Sequence, residues 1–224
     1  MDRYEYKYKE EHLKYIFEQQ HEVQLAEDIR MYADLSMHEF TQFKDHIGTP
    51  KLVFEAGAGV GRGSIFLNHL LTDDSVEYIL ADRTGWQWEG GPNCDPENED
   101  FYNDLALTAD FCKLNGLKKF RTFDTESDNW SVLPEVDLIF SLCAFGMHVS
   151  IERYIDRLIS IAKPTSTMIF GTRHENYGPD IFKDRFEQVI FIPGSKPQPW
   201  KIDPTVGEIF FPQEDWLILK NPLK

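Results

Sequence analysis

The chain has 224 residues and a formal net charge of −15, from 38 acidic and 23 basic residues. A polyanion would be repelled at long range, so DNA and RNA are poor partners, and the densest basic run, Lys118-Lys119-x-Arg121, is too small to offset this. A hydrophobic content of 42% with 14% aromatics supports a folded core, and no apolar stretch approaches the roughly 18–20 residues of a membrane span. The first residues, Met1-Asp2-Arg3-Tyr4-Glu5-Tyr6-Lys7, show no signal-peptide core. Cys94, Cys112 and Cys143 fit no zinc or CxxC spacing and read as reduced thiols of a cytoplasmic protein.

Residues 1–47 mix charge with apolar groups at helical spacing: Leu13, Ile16 and Phe17, then Leu25, Ile29, Tyr32 and Leu35. They predict a helical cap with a break near Ser36 and a further helix around 37–46, packed on a main domain of residues 48–224. From 51 onward strand and helix patterns alternate. Strands are expected at 51–56, 76–81, 119–123, 136–142, 166–172, 186–192 and 207–219, the last interrupted. Helices are expected at 62–72, 99–115, 150–163 and 179–184. The early strands are short apolar runs without clean alternation, as when helices cover both faces. The alternation predicts a Rossmann-like, doubly wound α/β fold with a mostly parallel sheet. The strand-rich end predicts an antiparallel strand at the sheet edge. Segment 84–98 reads as a long loop, and long loops in compact domains often serve function. The acidic patch Glu89, Asp95, Glu97, Glu99 and Asp100 matches no metal-ligand spacing, so no metal is expected.

The run Leu52-Val53-Phe54-Glu55-Ala56-Gly57-Ala58-Gly59-Val60-Gly61-Arg62-Gly63-Ser64 is a strand, a Gly-rich turn and a helix start. That layout suits a nucleotide-type ligand, because glycine accepts positive φ and the helix start offers free N–H groups. A phosphate-cradling P-loop would end in Gly-Lys-Ser/Thr, which is absent. A dinucleotide fingerprint would place its third glycine at position 62, which is Arg62. A turn without a ligand is the remaining plain reading.

Glu55-Ala56-Gly57-Ala58-Gly59-Val60-Gly61 resembles motif I of the class I S-adenosylmethionine (SAM) methyltransferases. The likeness continues by motif over about residues 51–172 and by pattern over 186–220, and it implies a seven-stranded sheet with a late antiparallel strand. An acid beside this loop suits a ligand bearing a sulfonium and an ammonium, and would repel a pyrophosphate. The resemblance implies cofactor contacts from Glu55, Gly57, Ala58, Gly59, Gly61, Arg62, Asp82, Arg83, Asp124, Thr125, Ser141 and Leu142. Asp82, ending the second strand, would accept hydrogen bonds from a ribose diol; capping a turn is its structural alternative. Asp124 would meet the adenine amino group, or serve only its own turn. Arg62 would pair with Glu55 or bind a carboxylate. Trp86 and Trp88 would stack on adenine or on a substrate ring.

Asp137 through His148 resembles motif IV of the same family, with Ser141 beside the methionine part of SAM. His148 falls just past a strand end and would act as general base, or pack structurally. His174, after the fifth strand, is a second candidate base. Ser141-Leu142-Cys143-Ala144-Phe145-Gly146-Met147-His148 followed by Ile151-Glu152-Arg153-Tyr154 is similar to bacterial sugar O-methyltransferases, with Phe145-Gly146-Met147-His148 where those carry Trp-Gly-Phe-His. The expectation is methyl transfer to a hydroxyl of a small molecule such as a sugar of a surface polysaccharide. Methylation of a small amine and a non-catalytic SAM-fold module that binds a partner protein are the alternatives. A homodimer is compatible with all of them.

Overall fold

The computed structural model describes residues 4–19, 28–87, 101–142, 144–146, 149–172, 177, 180–194, 199–203, 207–211 and 214–223. Seven strands form the central sheet: β1 (Leu52–Ala56), β2 (Glu77–Asp82), β5 (Phe120–Asp124), β6 (Val136–Ser141), β7 (Ala162–Thr172), β8 (Phe186–Ile192) and β11 (Asp215–Pro222). Their order is β5-β2-β1-β6-β7-β11-β8. β1, β2, β5, β6 and β7 are parallel neighbours, and β11 runs antiparallel between β7 and β8. The chain winds outward from β1 through β2 to β5, then returns to the other side of β1 for β6. The carboxyl ends of β1 and β6 therefore flank a topological switch point, where an open α/β sheet leaves a crevice for ligand.

Two layers cover the sheet. On one face α1 (Glu10–Gln19), α2 (Arg30–Phe43), α3 (Arg62–Leu71) and α4 (Leu105–Leu114) share a core with the strands, Phe40, Phe66 and Phe111 of the helices packing in it with Trp216 of β11. On the other, α5 (Ile151–Ile161) buries Ile151, Tyr154, Ile155, Leu158 and Ile159, a stripe at helical period.

The elements differ from their sequence expectation in four places. The break near Ser36 is absent: its hydroxyl donates to the Tyr32 carbonyl inside a continuous α2. The helix expected over 99–115 begins only at Leu105, where Asp104 caps it by accepting the Ala106 and Leu107 N–H groups. Before it, β4 (Phe101–Asn103) pairs with β3 (Gly85–Gln87), so residues 85–87, expected within a loop, are strand. The interrupted strand over 207–219 is two elements, β10 (Gly207–Phe210), which pairs with β9 (Pro199–Asp203), and β11. Residues 180–184, expected as helix, form turns.

The described N-terminal residues share the core of one face of the sheet. The Tyr6 hydroxyl donates to the Arg62 carbonyl at 3.1 Å, and its ring stacks on Phe111. Arg62, at the first turn of α3, donates to Glu39 Oε1 of α2 at 2.8 Å and to Glu39 Oε2, and reaches Ser36 Oγ at 3.1 Å. Both partners of this ion pair are buried. Removing one side of a buried pair strands the other charge in a low-dielectric core. Glu39→Ala should therefore destabilise the protein by about 3–5 kcal/mol in urea unfolding. The double change Glu39→Leu with Arg62→Met should cost far less than Glu39→Ala alone.

Glu55 of β1 lies under the same helix. Its Oε2 accepts the Ser64 N–H at 2.9 Å, and Gly63 leaves it room: a Cβ there would stand 2.4 Å from Glu55 Oε1. Burial pushes the Glu55 carboxyl up to about 7, against the pull of the Ser64 and Gly63 N–H groups and the Arg62 charge. Between about pH 4.5 and 7 the native state thus keeps a proton that the unfolded chain releases. Stability should fall as pH rises through that window, by on the order of 3 kcal/mol from this group. Glu55→Gln should flatten the slope and leave the variant more stable than the parent above pH 7, as urea midpoints from pH 5 to 8 would show.

Candidate functional site

The turn from β1 into α3 takes five residues and three left-handed positions, Gly57 (φ 67°), Gly59 (φ 53°) and Gly61 (φ 86°). Only glycine occupies such a series without steric cost. The loop is pinned on both sides. The Gly57 and Ala58 N–H groups donate to the Ala81 carbonyl at 2.8 and 3.1 Å, tying it to the end of β2. The Gly59 carbonyl accepts the Thr108 hydroxyl of α4. Gly61 packs so closely on Cys112 and Leu80 that a Cβ would lie 2.5 Å from the sulfur. Gly57 meets the chain after β6: a Cβ there would stand 2.0 Å from that of Ala144.

Asp82 ends β2 beside this loop. Its Oδ2 accepts the Gly59 N–H at 2.7 Å and its Oδ1 the Arg83 N–H at 2.8 Å. Burial pushes its carboxyl up to about 6, the two backbone donors and Arg83 opposing, and the neighbouring Asp124 adding to the rise. Each carboxylate oxygen thus accepts one backbone N–H. Asp124 stands beside Asp82 in register, and its Oδ1 accepts the Glu126 N–H at 3.0 Å. The buried Thr125 donates its N–H to the Asp82 carbonyl. Ser141, fully buried, uses its hydroxyl to accept the Phe145 N–H at 3.0 Å, shaping the turn after β6. The Leu142 side chain lies against Gly63 and its carbonyl against Gly171.

The structure thus gathers Gly57, Ala58, Gly59, Gly61, Asp82, Asp124, Thr125, Ser141 and Leu142 at the carboxyl edge of β1, β2, β5 and β6. Three expected contacts are engaged elsewhere. Arg62 turns behind the loop to Glu39. Glu55 turns under α3. Arg83 directs its guanidinium to Glu126 at 3.2 Å and the Tyr154 hydroxyl at 3.4 Å, toward the α5 face. His148 and His174 lie outside the described residues, as do Trp88 and the side chain of Trp86.

Two features escape a linear reading. The buried Glu39–Arg62 pair joins positions 23 apart, and nothing local marks Glu39 as a partner. Glu214 is 3% exposed at the carboxyl edge, where its Oε2 would lie 3.3 Å from a Cβ on Gly171 of β7. Its one signal is the acidic pair Glu214-Asp215 placed before the apolar run Trp216-Leu217-Ile218-Leu219.

No protein-family model matches the chain, and no curated protein matches it. Solved structures do. Precorrin-6y C5,15-methyltransferase from Geobacter metallireducens is similar with a TM-score of 0.54 at 13% identity, over 83% of this chain and 85% of that one. A SAM-dependent methyltransferase from Aquifex aeolicus gives 0.52 at 13% identity, over 89% and 96%. A Thermotoga maritima SAM-dependent methyltransferase, described as a possible histamine N-methyltransferase, gives 0.53 at 14% identity, over 92% and 98%. The likeness is one of architecture, and the chain has the Rossmann-like fold of the class I SAM-dependent methyltransferases.

Proposed function

We propose that this chain is a SAM-dependent methyltransferase that moves a methyl group onto a small-molecule acceptor. The observation that carries this reading is the loop at 57–61. Three left-handed glycines lie at the switch point beside a half-buried acid, and the adjoining arginine is already bound to a glutamate. With Arg62 committed to Glu39, the loop turns no arginine toward a pyrophosphate, while Asp82 suits a ribose diol and a ligand carrying positive charge. SAM fits that donor set. Bound there, it supplies a methyl group on a sulfonium.

In this reading Asp82 takes the ribose, Asp124 and Thr125 flank the adenine, and Ser141 and Leu142 flank the methionine part. Glu55 and Arg62 hold the loop from behind. Transfer needs little covalent help from the protein, so alignment and exclusion of water carry most of the effect. Residues 1–47 serve as a cap on a cofactor-binding domain of residues 48–224. The acceptor is a hydroxyl, and a sugar of a surface polysaccharide is the class to which the 141–154 segment is similar. His148 or His174 would then remove the hydroxyl proton. The setting is cytoplasmic, nucleic acid is not the acceptor, and a homodimer is compatible. A small amine is the second reading, favoured by the buried Glu214 beside Gly171 of β7 and by the net charge of −15.

Calorimetry with S-adenosylhomocysteine tests the cofactor. We expect saturable binding, and absence of heat at millimolar ligand would remove the reading. Asp82→Asn should weaken binding at least tenfold, the scale of a charge-assisted hydrogen bond. Because Asp82 must ionise to accept the ribose hydroxyls, affinity should rise with pH through about 6 in the parent and stay flat in Asp82→Asn. For the base, His148→Ala or His174→Ala should lower turnover of a hydroxyl acceptor on the order of 10²-fold, and a loss below about threefold in both would count against proton abstraction.

A further inference from the structure

Three strand ends meet at one side chain. Tyr154, in the first turn of α5 and buried, donates its hydroxyl to Glu126 Oε1 at 3.3 Å, in the turn after β5. The same hydroxyl accepts from Nη2 of Arg83, the residue that follows β2, at 3.4 Å. Its ring meets Phe145 edge-on with centroids 5.0 Å apart, and the Phe145 N–H donates to the hydroxyl of Ser141, the last residue of β6. Arg83 closes the group with an ion pair to Glu126 Oε1 at 3.2 Å. The guanidinium groups of Arg153 and Arg157 lie 5.6 and 5.7 Å from the Tyr154 ring centre and hold that ring in place.

The two charged members of this group are bonded directly to the two acids of the ligand edge. The Arg83 N–H donates to Asp82 Oδ1, and the Glu126 N–H donates to Asp124 Oδ1. Asp82 and Asp124 are neighbours in register at the ends of β2 and β5. Two carboxylates so placed repel, and a cation beside them lets both ionise. Burial raises the Asp82 carboxyl, Asp124 adds to the rise, and the Arg83 charge opposes it. As a fastener the ion pair contributes little, because the Glu126 side chain is 51% exposed and water screens such pairs. Its effect lies in where it holds the two acids.

We infer that Arg83, Glu126 and Tyr154 are positioning residues for the cofactor. The guanidinium, carboxylate and phenol together fix the spacing of the turns after β2, β5 and β6, which carry the ribose, adenine and methionine contacts. They act through Asp82, Asp124 and the turn at Phe145 rather than by touching the ligand. This rests on the cofactor reading above.

The test is a double-mutant cycle of Arg83→Met and Glu126→Gln, read by calorimetry with S-adenosylhomocysteine from pH 5 to 8 and by the thermal midpoint of the ligand-free protein. Arg83→Met keeps the backbone N–H on Asp82 and removes only the guanidinium. We expect each single variant to bind roughly tenfold more weakly, and the double variant to be within about threefold of the weaker single, because both remove one shared contact. All should keep a midpoint near that of the parent. In Arg83→Met the pH at which affinity rises should move upward from about 6, by about half a unit or more, because Asp82 loses its cation. A merely structural contribution would not move that profile. Parent-like affinity in both singles overturns the assignment, as do losses that add in the double variant or an unmoved profile in Arg83→Met. Should Arg83→Met fail to fold, Glu126→Gln and Tyr154→Phe decide: both should weaken binding by about threefold or more, and parent-like affinity in both overturns the assignment. A parent protein that does not bind S-adenosylhomocysteine removes the cofactor reading itself, an outcome distinct from a parent that binds and variants that bind equally.

Discussion

The turn from β1 to α3 constrains everything near the site. Strand and helix must reverse within five residues, and three of those residues, Gly57, Gly59 and Gly61, take left-handed backbone. So tight a loop leaves no room for side chains on its inner side, and the surroundings close in on it: Ala144 on Gly57, Cys112 and Leu80 on Gly61. It also brings the start of α3 directly over β1. Glu55 can then satisfy the Ser64 N–H from below, at the cost of burying its own carboxyl.

Electrostatics follow from that geometry. A cation next to a Gly-rich loop would ordinarily invite a phosphate. Here Arg62 is drawn back into the helical layer by Glu39 and Ser36, and the side chains facing the crevice from β2 and β5 include the acids Asp82 and Asp124. The local field is therefore anionic, in keeping with the charge of the whole chain. In the proposed reading, that field favours a ligand with a diol and positive charge over one with a pyrophosphate.

Three additions to the sheet are joined through α1 and α2. The N-terminal helices pack through Tyr6, Tyr15 and Arg62. The β3–β4 hairpin delivers Asn103, whose Oδ1 accepts the Tyr15 hydroxyl of α1 at 2.6 Å. The β9–β10 hairpin is tied to α2, where Trp200 Nε1 donates to Asp34 at 2.7 Å and Phe211 stacks on His38 with centroids 4.4 Å apart.

Much of the architecture was legible in the chain because its signals are local. Short apolar runs mark β1, β2, β5 and β6, the spacing of Gly57, Gly59 and Gly61 marks a sharp turn before a helix, and Asp82 falls at a strand end by counting alone. Element limits were harder wherever a partner strand decides the conformation: Phe101–Asn103 became β4 by pairing with Gly85–Gln87, and Ser36 stayed helical because its hydroxyl found a carbonyl one turn back. The roles of charged and polar side chains lay furthest from reach. Which way Arg62 turns, what Glu55 caps and where Arg83 reaches depend on Glu39, Ser64 and Glu126, residues brought near by folding. The sequence by itself determined the strand–turn–helix and the acid that follows it, since both rest on backbone sterics and short-range order. Only the tertiary structure decided which polar atoms are spent inside the protein and which remain for a ligand, because burial and hydrogen-bond geometry are properties of the packed chain.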